Sequence, residues 1–160
     1  MYFININKLK EDIIENRFSQ KDRFLYLFAW VILTEIFLVM PDFFPNWCID
    51  ITWLDRAVDI IEIFIVGIGT YLMYKFNKGA NGKDFIDRYL AITWVIGIRA
   101  IIWFILIAIV MEILLLLLNT KIALSDEVVN YPFTFLYLLM MLYVYYRSIA
   151  VIKDIAYATK

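Results

Sequence analysis

The chain of 160 residues contains no histidine and a single cysteine, Cys48. The first absence removes the commonest side-chain base and a frequent metal ligand. The second excludes an internal disulfide and a cysteine-ligated zinc or iron–sulfur centre. There is no Ser-Lys constellation and no cysteine pair for redox work, so an enzyme is disfavoured and neither a metal nor an organic cofactor is expected. Charge is scarce too: 19% of the residues are charged and the net charge is −1. Without a basic excess, nucleic acid is not an implied partner.

What fills the chain instead is apolar. Hydrophobic residues make up 64% of it and aromatic residues 18%, against roughly 45–50% apolar in an ordinary soluble domain. A soluble core of this length cannot hide so much apolar surface, so lipid is the expected solvent and the bilayer the first partner.

Four apolar segments are each long enough to cross a hydrocarbon core of about 30 Å, which needs about 20 residues. They lie near 24–44, 53–76, 85–118 and 131–152. Helix punctuation separates them. Ser19 with Asp22, Thr52 with Asp55 and Asn81 with Asp84 each place an acid three residues after an N-cap residue. Pro41 and Pro45 are expected to stop the first helix, Gly79 and Gly82 to break the second from the third, and Asn130 before Pro132 to open the fourth. Barrel strands would alternate over about 10 residues, and these segments do not. The run Phe24–Met40 exceeds a signal h-region and Pro41–Phe44 offers no small-residue cleavage site, so it is expected to be retained. Lys78–Asp84 lacks the full spacing of a phosphate loop and follows a membrane helix rather than a strand. The expected fold is an all-α integral membrane protein. Residues 1–22 form an amphipathic cytoplasmic segment, and 23–157 a bundle of four transmembrane helices.

Orientation follows from Lys and Arg in the short connections. Lys8, Lys10, Arg17, Lys21 and Arg23 precede the first span. Lys75, Lys78, Lys83 and Arg88 surround the second connection, and Arg147, Lys153 and Lys160 stand at the C-terminal end. Pro41–Trp53 has neither Lys nor Arg, and Asn119–Asn130 has Lys121 beside Asp126 and Glu127. Both termini are therefore expected on the cytoplasmic side of a bacterial-type inner membrane. Trp47, Trp53 and Tyr131 should mark the outer interface, and Tyr26, Tyr74, Tyr89, Tyr145 and Tyr146 the inner one. In the first 20 residues, Leu9, Ile13, Ile14 and Phe18 fall near one face of a helix. That face is expected to lie on the inner leaflet or to dock a cytoplasmic protein or a second subunit.

The most informative constellation is charge inside the spans. At about 1.5 Å per residue, Glu35 lies roughly 16 Å into the first helix, Glu62 roughly 14 Å into the second and Arg99 roughly 15 Å beyond Tyr89 in the third. All three fall near the midplane. A central charge costs about 2.5–3.5 kcal/mol on the insertion scale, so three unpaired ones would rival the stability of a whole domain. The expected solution turns Glu35, Glu62 and Arg99 inward, with a bidentate bond from Arg99 to one carboxylate. Asp59 and Asp55 continue the acidic face outward from Glu62. Glu112 falls near the outer boundary of the long third helix, whose Leu114–Leu118 end needs cover. Gly97 and Ala100 beside Arg99 would admit another helix.

These features suit a non-enzymatic, self-associating membrane subunit: a sensor, a membrane effector or an ion-conducting pore. Base rates for small bacterial membrane proteins add stress or antiphage defence. The alternative is a small proton-coupled transporter of cations. Glu35 is similar in position to the first-helix glutamate of the four-helix small multidrug transporters. This chain departs from them in its length, its polar N-terminal arm and its intramembrane arginine.

Overall fold

Helix starts in this chain are set by polar groups that take up orphan backbone N–H groups. The computed structural model describes the backbone of residues 1–43, 53–79, 82, 84–119 and 126–158. It contains helices α1 (Ile6–Ile14), α2 (Gln20–Phe43), α3 (Trp53–Phe76), α4 (Phe85–Asn119) and α5 (Asp126–Ala158). No strand occurs among the described residues. The Asn5 side chain accepts a hydrogen bond from the Lys8 amide at 3.1 Å and opens α1. Ser19 Oγ accepts from the Asp22 amide at 3.2 Å and donates to Asp22 Oδ2 at 2.6 Å, the cap expected for α2. For α4 the start moves on from Asn81. The Asp84 carbonyl accepts from the Arg88 amide at 3.0 Å, and Asp84 holds φ 51°. Pro45, Trp47, Cys48, Thr52, Asn81, Lys83, Lys121 and Lys160 lie outside the described residues, as do the side chains of Asp55, Asn130 and Tyr131.

Among the described residues three helices are long and apolar enough to cross a membrane, over Arg56–Phe76, Phe85–Leu117 and Pro132–Ala158. Pro41 sits in the last turn of α2, which ends at Phe43. The opening expected at Asn130 and Pro132 lies earlier, since α5 begins at Asp126 and carries Pro132 inside it. At its other end α5 runs past the expected boundary at residue 152, because Ile155 and Ala156 continue the buried stripe of Val151 and Ile152.

Among the described residues the principal helix contacts are α4 with α5, α3 with α5, and α2 with α4. By these contacts the long helices follow the order α2–α4–α5–α3. Within this order α2 runs parallel to α4, with Trp30 against Trp94 at 5.9 Å and Arg23 against Asp87 at 2.8 Å. α3 runs parallel to α5, with Gly69 against Tyr145 and Phe76 under Lys153. Gly69 is needed there, because a Cβ would overlap the Tyr145 ring. α1 lies across α4 and α5 at one end of the long helices.

Burial is confined to that end. Leu9, Tyr26, Met73, Ile92, Ile152 and Ile155 are fully buried there. Along α4 beyond Ala100, and along α5 before Ser148, every described side chain is half-buried or exposed. Between these far halves of α4 and α5 opens an apolar cavity of about 450 Å³ lined by Trp103, Phe104, Leu139 and Tyr143, among others.

Candidate functional site

The α1 end is tied by a polar network. Tyr26 Oη accepts from the Tyr2 amide at 2.7 Å and donates to the Tyr2 carbonyl at 3.0 Å, which satisfies a phenol with no exposure at all. Tyr26 is thus a core residue and not the interfacial anchor expected of it. The Met1 ammonium pairs with Asp22 at 2.8 Å, and Tyr2 Oη donates to Asp12 at 2.6 Å. These contacts hold both carboxyls below the usual carboxylate range, Asp12 chiefly through the Tyr2 hydroxyl and Asp22 chiefly through the N-terminal ammonium. Arg23 bridges Asp84 and Asp87, and Lys10 reaches Asp154 at 2.7 Å. Arg88, 7% exposed, donates to Asn77 Oδ1 at 3.0 Å. Gly82 approaches Asn77 so closely that any Cβ there would strike its carbonyl.

The four residues expected to dock a membrane or a partner are used within the chain. Leu9 and Ile13 are buried in the core, and Ile14 and Phe18 are half-buried against it. The α1 face is covered by α4 and α5, so its hydrophobic burial is already realised.

A second polar feature follows the α3–α5 seam. Glu62 is half-buried and accepts a hydrogen bond from the Tyr137 hydroxyl. Further toward the α1 end, Thr70 hydrogen-bonds Tyr145, whose hydroxyl lies 3.5 Å from that of Tyr89. Asn77 and Arg88 close the line. Glu62, Val66, Gly69, Met73 and Asn77 recur at the three-to-four-residue spacing of one helix face, which puts them together on α5. That spacing was visible in the sequence; the partner tyrosines were not, because nothing local says which helix lies opposite. Tyr145 in particular faces the seam, while its neighbour Tyr146 is 71% exposed. Asp59 is exposed one turn from Glu62, and Arg56 stands in the same stretch, so the beginning of α3 carries both signs.

The pairing expected of Arg99 is not formed. Glu35, Arg99 and Glu112 are all exposed, and among the described residues no ion pair joins Arg99 to Glu35 or Glu62. Helical direction explains this. Nine residues at about 100° each place Glu35 roughly 180° around α2 from Tyr26, which is buried in the core. Five residues place Arg99 roughly 140° around α4 from Trp94, which meets α2. Gly97 lies in open space, with nothing near the position of a Cβ. Ala100 is buried and lines the α4–α5 cavity. No group of three or more metal-ligating side chains occurs among the described residues. No family model, curated protein or solved structure matches the chain.

Proposed function

We propose that this chain is a non-enzymatic, ion-conducting subunit of a homo-oligomeric assembly in a bacterial-type inner membrane. In this reading α2 is a fourth span, both termini are cytoplasmic, and α1 lies at the cytoplasmic face. The observation that carries it is the exposure of Arg99 and Glu112 on an apolar helix long enough to cross a membrane, together with that of Glu35 on the neighbouring α2. Each such charge facing lipid costs about 2.5–3.5 kcal/mol or more. Covering them with protein or water removes that cost, and a self-associating chain supplies the protein. The Glu62–Tyr137 and Thr70–Tyr145–Tyr89 contacts give the α3–α5 seam polar groups at depths where lipid offers none. A partner on the cytoplasmic side would bind exposed charges such as Lys8 and Glu11, since the apolar face of α1 is occupied.

The second reading, a proton-coupled cation transporter, draws on Glu62. It has a phenolic donor in the seam, whereas Glu35 faces away from its own chain. Ion flux from liposomes holding the purified protein separates the two. A conductive flux that is altered in Glu62→Gln supports the channel. Uptake that requires a proton gradient and vanishes in Glu62→Gln supports the transporter. Liposomes as tight as protein-free ones, with or without a gradient, would sink both.

A further inference from the structure

We infer that Glu35 of one copy pairs with Arg99 of a neighbouring copy of this chain, in a head-to-tail contact at a single depth. The inference rests on the self-association proposed above and names the contact that makes it. Depth is the first argument. Trp30 meets Trp94 and Arg23 meets Asp87, each pair 64 positions apart along the chain. Glu35 and Arg99 are also 64 apart. Because α2 and α4 run parallel in that register, the two opposite charges stand level with each other.

Direction is the second. Glu35 points away from the packed face of α2 and Arg99 away from the α2 side of α4, so one protomer cannot join them. Rotation about an axis normal to the membrane preserves depth while turning direction. A copy related by such a rotation can therefore bring its Arg99 to the Glu35 of the first. The two faces are different surfaces, so the contact is heterologous and closes into a ring when the rotation divides a full turn.

Elimination is the third. Glu62 is half-buried in the α3–α5 seam beside Tyr137, and Arg23 already bridges Asp84 and Asp87. Glu112 is 13 residues beyond Arg99 on the same helix, roughly 20 Å away along the axis. It is therefore too far in depth to compete for Arg99 in a copy at the same level. Apolar side chains flank both charges and supply the rest of the surface. Val31 and Ile32 are exposed beside Glu35, and Ile102 and Trp103 beside Arg99. An arginine–carboxylate pair removed from water and framed by apolar groups is a strong, directional contact.

The test is cysteine cross-linking in a Cys48→Ser background. Two differently tagged copies, one carrying Glu35→Cys and the other Arg99→Cys, are expressed together and treated in the membrane with a bis-methanethiosulfonate reagent long enough to span an arginine–glutamate pair, whose Cα atoms stand too far apart for a direct disulfide. A cross-linked heterodimer is expected, whereas Glu35→Cys with Glu112→Cys should stay unlinked. In parallel, Glu35→Arg and Arg99→Glu should each weaken self-association on the order of a hundredfold. The double reversal in one chain should restore it. Oligomers of unchanged strength in Arg99→Glu, or oligomers that link Glu35→Cys only to itself, would overturn this contact and leave self-association standing. A chain that is monomeric without substitution would overturn the assembly as well.

Discussion

The two halves of this molecule are made of similar residues and behave differently. At the α1 end, Ile92, Ile152 and Ile155 have no exposure; at the far end, Ile105, Leu116 and Leu117 of the same kind are half exposed or more. Hydrophobicity therefore does not decide which half is packed. The difference lies in what ties the helices together. The α1 end has the Tyr2–Tyr26 and Arg23–Asp84–Asp87 contacts and the Arg88–Asn77 bond, with α1 itself laid across α4 and α5. The far half has an apolar α4–α5 cavity, and Glu35, Arg99 and Glu112 form no ion pair among the described residues. One half is a finished core, and the other is a surface that awaits lipid and, on our reading, a second copy.

Core truncations give the sharpest contrast. Ile152→Ala at the α1 end should destabilise the protein by about 2–5 kcal/mol. Leu139→Ala, where the side chain is 46% exposed, should cost well under about 1.5 kcal/mol. Unfolding in detergent with a mild denaturant compares them, and equal losses would erase the distinction between the halves. Next in size, Gly69→Val places side-chain atoms into the Tyr145 ring and should cost about 1–3 kcal/mol by overpacking. Gly97→Ala, with open space around it, should be neutral or slightly stabilising in the same assay. Tyr26→Phe removes the phenol from both Tyr2 backbone groups and should cost about 1–3 kcal/mol. Its mark would be faster amide exchange confined to residues near Tyr2.

The acid response should also belong to the α1 end. Asp12 and Asp22 have depressed folded values, so they bind protons less readily folded than unfolded. Their contribution is complete above the ordinary carboxylate range and is lost as pH falls through their depressed values. Limited proteolysis of the N-terminal arm should therefore accelerate in acid. An arm equally protected at neutral and acid pH would contradict this. The smallest effect is expected from Lys10→Gln, which removes an exposed pair with Asp154 worth about 0–1 kcal/mol.

The existence of the long helices was legible from apolar run length, and the start of α2 from Ser19–Asp22, because both are local properties; α5 exceeds its apolar run at both ends. The contacts were less so. Tyr26 reads as a belt residue by position, and its burial depends on Tyr2, 24 residues away, folding back upon it. Leu9 and Ile13 show an apolar face without saying what covers it, and the cover is α4 and α5 of the same chain. Residue counts put Glu35 and Arg99 at a similar distance along their helices, and the register of α2 on α4 places them level with each other. Their direction was not readable, because it depends on which side of α4 receives α2, and that is fixed by Trp30 and Trp94 packing together.

The central claim is that the far half is completed by another copy of the chain. The most direct measurement counts copies by single-molecule photobleaching of a labelled chain in liposomes, at lipid excess high enough to dilute chance co-occupancy. The account predicts several bleaching steps per particle at every dilution tested, falling toward one in Arg99→Glu. A single step in the unsubstituted protein throughout would contradict it, and would leave Glu35 and Arg99 to be covered by lipid headgroups and water drawn into the membrane.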